Sequence, residues 1–357
     1  MISEIGSNFW EYNLVTNNTT HGLWWEKKEL KKEFYKSGRN SIKALCKLVN
    51  PNNKVALLPI YTCSTVIEPF IEEGWNVSYY LINNDLSIDN KSLLELCDTL
   101  SPSVVLFHSF FGFDTLNNSI DYIKEIKSRN IIIVEDITQS LFSDHCIPFA
   151  DYYVTSLRKF FAIPDGGFLG SYNNNISFKK DRNDTNIQNV AFEAFDLKKQ
   201  YFKNDSLEIK NQFRIKYQLL NQMIADNSDI LSISEKSLKV LNGINSEEII
   251  HKRRENYCIL KTVIDSVPYI KNIITNNMEN CTPLYFPIYI ENRKLFQSYM
   301  AENNVYCPII WPKSKYINNI TDEVEYMYDN MLCIPIDQRY SIEEMNKIID
   351  LILNCNL

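Results

Sequence analysis

The sequence predicts an α/β fold: a large domain on a mainly parallel sheet, followed by a smaller C-terminal α/β domain. Three observations predict it. Continuous apolar runs alternate with segments of helical periodicity, the pattern of strands covered on both faces. The chain has 357 residues and is 45% hydrophobic, enough to bury two cores. Polar residues with reactive side chains stand where apolar runs stop, at the strand ends where such sheets bind ligands.

The elements follow in order. Residues 24–36 read as an amphipathic helix, because Lys27–Lys28 and Lys31–Lys32 alternate with Glu26, Glu29 and Glu33 like a solvated helix face. A second helix, Asn40–Val49, opens just after Gly38. Lys54–Pro59 (KVALLP) reads as a buried strand, Thr65–Glu73 as a helix and Asn76–Leu81 as a strand. Leu93–Leu100 is helical, Ser103–His108 (SVVLFH) a strand, Ser119–Ser128 a helix and Asn130–Glu135 the next strand. Tyr152–Ser156 is a short strand. From about Tyr172 to Asn242 glycine is absent and charged residues alternate with apolar ones, which reads as a helical excursion. Such a pair of helices serves either as structure or as a lid or partner-contacting arm. After Ile249 a basic helix (HKRRENYCILKTVID) leads into a compact C-terminal part, where Leu284–Ile288 and Val305–Ile310 read as strands and Ile342–Asn354 as the closing helix. The domains are expected at 1–245 and 246–357.

Composition narrows the function. A net charge of −7 argues against nucleic-acid binding, which needs a basic face. No apolar stretch nears the length of a membrane helix, and the start MISEIGSNFW has neither basic residues nor an apolar signal core. Nine scattered cysteines without a C-x-x-C pair suggest reduced thiols in a cytoplasmic protein. Four dispersed histidines offer no metal-ligand spacing.

The densest chemistry lies between Glu135 and Gly170, EDITQS…TSLRKFFAIPDGGFLG. An apolar strand (Ile131, Ile132, Ile133, Val134) delivers Asp136, and a lysine, Lys159, follows a second strand end. Pyridoxal phosphate (PLP) requires this pair: a carboxylate for its pyridine nitrogen and a lysine amine for its aldehyde. Read separately, the Asp is a helix cap and the lysine a turn residue. Glycine usage favours the site. The chain has 9 glycines, far below an average of roughly 7%, and four of them, Gly112, Gly166, Gly167 and Gly170, lie in or shortly before this segment.

These segments, in order, resemble the StrS/DegT-type sugar aminotransferase family, PLP-dependent transferases of fold type I, over roughly residues 35–350. SGRNSI (Ser37–Ile42) resembles the family's Gly-Thr-x-Ala-Leu turn, and LPIYTCST (Leu58–Thr65) its Pro-Ser-Phe-Thr-Phe strand end. FHSFFG (Phe107–Gly112) resembles its His-Leu-Tyr-Gly segment, and EDITQS its Glu-Asp-x-x-Gln. KFFAIPDGG resembles its Lys-x-x-x-x-Gly-Glu-Gly-Gly, and KRRENY the Arg-Arg-x-x-x-Tyr opening of its C-terminal domain.

The resemblance implies roles. Lys159 would carry the cofactor and shuttle the proton, its amine deprotonating readily if buried. Asp136 would hold the pyridine nitrogen, and Gln139 would bond the phenolic oxygen. Ser156 and the backbone amides of Gly38 and Arg39 would hold the phosphate. The family's ring-stacking position is Cys63 here, with Tyr61 or His108 as substitutes. Homodimers are implied, as is a nucleotide sugar with an amino donor as the small-molecule substrates. Two departures stand out: Ser156 lies three residues before the lysine rather than five, and the family's Gly-Tyr-Asn-Tyr-Arg segment has no clear copy. Tyr61, Trp311 and Arg339 are candidate substrate residues; Trp311 equally suits a core, and Arg339 with Asp337 a structural salt bridge. Three readings follow: a sugar aminotransferase using glutamate, a same-fold PLP transaminase or decarboxylase on a small phosphorylated or amino-acid substrate, and a non-catalytic relative.

Overall fold

The computed structural model describes residues 4–10, 29–182, 185–225, 229–274 and 278–355. The main sheet has seven strands in the order β1-β7-β6-β5-β4-β2-β3. These are β1 (Lys31–Tyr35), β2 (Val55–Pro59), β3 (Asn76–Tyr80), β4 (Val104–His108), β5 (Ile132–Asp136), β6 (Tyr152–Ser156) and β7 (Gly167–Ser171). β2 pairs in parallel with β3 and β4, and β4 with β5, while β7 runs antiparallel to both β1 and β6. The mainly parallel α/β fold expected from the sequence is therefore present.

The chain divides into two compact units. The first comprises Met1–Ser7, Pro51–Ala150 and Glu247–Leu357; the second comprises Asn8–Asn50 and Asp151–Ser246. One boundary thus falls at Ser246/Glu247, and the chain before it is shared between both units.

In the first unit, α2 (Ser64–Glu72), α3 (Asn90–Leu100) and α4 (Ile120–Ser128) link β2 to β5. All five residues of β4 are buried, as a strand covered on both faces demands. Asp89 caps α3 by accepting the Ser92 amide at 3.0 Å. α8 (Ser246–Ile264) carries two fully buried polar residues. Arg253 donates to the Gln338 side chain and to the carbonyls of Pro283 and Leu284, while Asn256 Nδ2 reaches the carbonyls of Ile336, Asp337 and Tyr340. Beyond it, β8 (Lys271–Asn272), β9 (Phe286–Tyr289) and β10 (Met331–Ile334) form an antiparallel sheet in the order β10-β9-β8. α9 (Arg293–Glu302), α10 (Asp322–Asn330) and α11 (Ile342–Leu353) complete this unit, α11 opening with a Ser341/Glu344 capping box.

The second unit holds α1 (Gly38–Val49), α5 (Thr185–Asn204), α6 (Leu207–Ala225) and α7 (Glu235–Asn242) with β1, β6 and β7. The helical excursion is real. α5 and α6 form a hairpin around Ala191, Ala194, Phe195, Phe213, Tyr217 and Leu220, turning at Asp205 with φ 46°.

Two expected elements are corrected. The helix over 24–36 is wrong where the chain is described: Lys31–Tyr35 is an edge strand, and residues 24–28 lie outside the described residues. Its charges have partners on other segments, Lys180 on Glu33 and the Asn173 carbonyl on Lys31. Charged edges of this kind also discourage pairing with another chain. Val305–Ile310 is not a strand; it makes one isolated bridge, Ile5 to Val305, and Pro308 has no N–H to extend a ladder. No helix among the described residues is long and apolar enough to cross a membrane.

Candidate active site

In the first unit, β4 and β5 end in register at His108 and Asp136. Asp136 is buried; its Oδ1 accepts the Thr138 amide at 2.9 Å, and its Oδ2 lies 3.6 Å from His108 Nδ1. The other imidazole nitrogen, Nε2, is 2.7 Å from Thr62 Oγ1. Burial pulls the His108 pKa down, and the Asp136 carboxylate opposes this only in part. The ring is thus neutral at pH 7: Nδ1–H faces the carboxylate and Nε2 accepts the Thr62 hydroxyl. One residue back, the side chain alternates to the other face of the strand. There Glu135 accepts the Ser109 hydroxyl at 3.0 Å and the Ile147 amide at 2.7 Å, and burial raises its pKa to about 7.

Gln139 is oriented by the backbone. Its Oε1 accepts the Phe111 amide at 2.7 Å, so Nε2 remains as the donor end. The Phe111 amide is aimed by a turn in which Phe111 has φ 53° and Gly112 has φ 87°. A Cβ on Gly112 would sit 2.1 Å from the Thr282 carbonyl oxygen, so only glycine fits.

Aromatic rings surround His108. The Trp311 centroid lies 5.1 Å away and that of Phe110 5.6 Å away. Tyr61 packs on Trp311 at 5.1 Å, but its phenol is fully buried and donates to Met331 Sδ at 2.9 Å. Tyr61 therefore supports this wall from behind. Cys63, half-buried, is the residue before α2 and accepts the Thr65 hydroxyl at 3.0 Å. Arg339 is gripped at both ends by Asp337, at 2.7 and 2.8 Å, and also donates to the Ser7 carbonyl. That is the geometry of a structural pair.

In the second unit, Ser37 caps α1, its Oγ accepting the Asn40 amide at 3.2 Å. A Cβ on Gly38 would lie 3.1 Å from the Ser156 Cβ, so the first residue of α1 and the end of β6 are side by side. Gly167 permits the same approach, since a Cβ there would sit 2.1 Å from the Ser37 carbonyl oxygen. Arg39 turns away from the helix start and donates to the Ala225 carbonyl at 2.8 Å. Lys159 ends the single turn Leu157–Lys159 that follows β6. Its side chain is exposed, which corrects the expectation of a buried ammonium. Leu157 takes the inward position of that turn, leaving Lys159 outward. Its neighbour Arg158 donates to Asn221 Oδ1 at 3.3 Å, and burial lowers the guanidinium pKa to about 10. Asp165, fully buried, accepts the hydroxyls of Ser234 and Ser237 at the start of α7.

Sequence reasoning brought His108, Asp136 and Gln139 to one unit and Gly38, Ser156 and Lys159 to the other. It missed Thr62, Arg158 and Asn221. Thr62 was visible only as a polar residue inside an otherwise apolar strand exit; Asn221 carried no signal within a polar helix.

In sequence, the chain matches no family model and no curated protein. In fold it matches several solved aminotransferases. One is PseC of Helicobacter pylori, an aminotransferase involved in the biosynthesis of pseudoaminic acid. It matches with TM-score 0.63 and 14% identity, over 90% of this chain and 85% of that one. A DegT DnrJ EryC1 StrS aminotransferase of Brucella abortus matches with TM-score 0.65 and 16% identity, over 92% and 87%. NtdA of Bacillus subtilis, with bound cofactor PMP, matches with TM-score 0.64 and 14% identity, over 92% and 74%. This chain therefore has the fold of the sugar aminotransferases, mixed α/β with a large, mainly parallel sheet.

Proposed function

We propose that the chain is a PLP-dependent aminotransferase that moves an amino group, with glutamate as donor, to the keto group of a nucleotide-linked sugar. Its setting is surface-glycan or related biosynthesis, and it works as a cytoplasmic homodimer. The observation that carries this reading is Gln139. On a fold shared with aminotransferases, a backbone amide holds this side chain with its N–H end free to donate, three residues beyond the strand-end carboxylate Asp136.

Within each unit, the donors present suit one part of the cofactor. Asp136, an acceptor whose Oδ2 faces a neutral histidine, suits a protonated pyridine nitrogen. Gln139 Nε2 suits the phenolic oxygen. The first amides of α1, at Gly38 and Arg39, with the Ser156 hydroxyl beside them, suit the phosphate. When bound, the group supplies an electron sink for chemistry at the amino carbon. The chain supplies the rest. Asp136 would hold the ring nitrogen and keep it protonated, and Lys159 Nζ would hold the group by its aldehyde and serve as the base that moves the proton. His108, packed against Trp311 and Phe110, would orient the ring, since the Cys63 side chain is too small to stack upon it.

The visible absorbance of the purified chain with added PLP, beside Lys159→Ala, tests this. A band present in the wild type, absent in the variant and bleached by glutamate is expected. A chain that shows no band refutes the assignment.

A further inference from the structure

Asp165 lies just beyond Lys159, in the loop that leads into β7, and its carboxylate is fully buried. It faces the first turn of α7. Oδ1 accepts the hydroxyls of Ser234 at 2.7 Å and Ser237 at 2.5 Å, and Oδ2 accepts the Ser234 amide at 3.1 Å. The serines are held in turn. Ser234 Oγ caps α7 by accepting the Ser237 amide at 3.2 Å, and Ser237 Oγ accepts the Asp165 amide at 3.4 Å. An ionised carboxylate can only accept, and each of these partners offers it a hydrogen. Burial pushes the Asp165 pKa up from its ordinary value of 3.8, while these hydrogen bonds and the Arg158 charge pull it back.

The backbone after Asp165 reaches two other elements. The Gly166 amide donates to the Lys36 carbonyl at 2.7 Å, just before the Ser37 cap of α1, and Gly166 bridges Ser37 in parallel. The Gly166 carbonyl accepts the Leu157 amide at 3.1 Å, and Leu157 opens the turn that ends at Lys159. One residue thus ties the start of α1 to the lysine turn, while the side chain before it is locked onto α7. The fit leaves no slack: a Cβ on Gly166 would lie 2.9 Å from Ile163 Cδ1 and 3.2 Å from Leu157 Cβ. A buried polar network whose members are all bonded rigidifies what it joins.

We infer that Asp165 is a positioning residue: by locking Gly166 onto α7, it sets the spacing between the first amides of α1 and Lys159. A ligand gripped at both points gains from that fixed separation, because the second contact forms without further loss of freedom. That the ligand is PLP, held by its phosphate and its aldehyde, rests on the proposed function. The clamp itself rests on the hydrogen bonds alone.

Absorbance titrations of the full-length chain with PLP and with pyridoxal, which lacks the phosphate, test the inference. The wild type is compared with Asp165→Asn, which keeps the shape but turns an acceptor into a donor, and with Phe213→Ala. In Asp165→Asn, pyridoxal affinity within about twofold of wild type and PLP affinity weakened about tenfold are expected. Phe213→Ala loosens the same unit through its hairpin core and should leave the advantage of PLP over pyridoxal unchanged. An unchanged advantage in Asp165→Asn, or an equal loss of it in both variants, overturns the inference. Should Asp165→Asn fail to fold, Ser237→Ala takes its place, since it removes one donor and keeps the charge. A smaller loss in the same direction is then expected, and no loss refutes the inference. If the wild type shows no band with either compound, the cofactor assignment falls and hydrogen exchange of the cofactor-free chain decides on the clamp. Faster exchange in the variant confined to residues 36–41 and 157–167 sustains it, and uniformly faster exchange, or none, overturns it.

Discussion

Glu135 and Asp136 are adjacent, yet they answer to different environments. Glu135 is fully buried, and its pKa of about 7 lies above the ordinary carboxylate value near 4.5. The folded state therefore holds a proton that the unfolded chain has released, so stability is lost as pH rises through that window. The loss amounts to about 3 kcal/mol for the shift involved. Urea unfolding at pH 5 and pH 8 should show the wild type losing about 3 kcal/mol relative to Glu135→Gln as pH rises. His108 acts in the opposite sense: its lowered pKa withdraws stability as pH falls below its ordinary value of 6.5. Gln139 offers a cleaner division between structure and function. Gln139→Glu keeps the acceptor for the Phe111 amide but replaces the donor end. Stability within about 1 kcal/mol of wild type, with a weakened cofactor band, is the expected result. A variant that instead unfolds would show that Gln139 serves the fold.

At the scale of elements, legibility followed periodicity. β2, β4 and β5 are continuous apolar runs, and their boundaries were readable within a residue or two. β1 was not, because Lys31, Lys32 and Glu33 mimic a helix face until their partners are known. β7 (GFLGS) was missed because glycine weakens any strand signal, although here it admits the start of α1. Gly167→Ala should therefore cost about 1–3 kcal/mol by forcing Ser37 and Gly38 away, and it should weaken phosphate retention as well. The α5–α6 hairpin depends on its aromatic core. Phe213→Ala should lower stability by about 3–5 kcal/mol, measured by thermal unfolding, because Phe213 is buried against Tyr201 and Tyr217.

For the whole molecule, the strand-end carboxylate Asp136, Gln139 and Lys159 stood out in the sequence as candidates because the proposed chemistry restricts each to few residue types. The aromatic wall around His108 did not, since rings such as Phe110 and Trp311 occur everywhere in this chain. Charge-free packing gives no spacing rule to read. The proposed homodimer is checked by sedimentation equilibrium: a species of twice the chain mass is expected, and a monomer at working concentrations would contradict it.

The interleaving of the two units governs how the protein can be made. Asn8–Asn50 must wait for Asp151–Ser246, and Pro51–Ala150 for Glu247–Leu357. On a ribosome, neither core can close until most of the polypeptide has emerged, so β2 to β5 stay without their C-terminal complement for nearly the whole of translation. Apolar strands left open that long invite aggregation. Expression should therefore respond strongly to translation rate and chaperone supply, and a chain stopped at residue 246 should be recovered in the insoluble fraction.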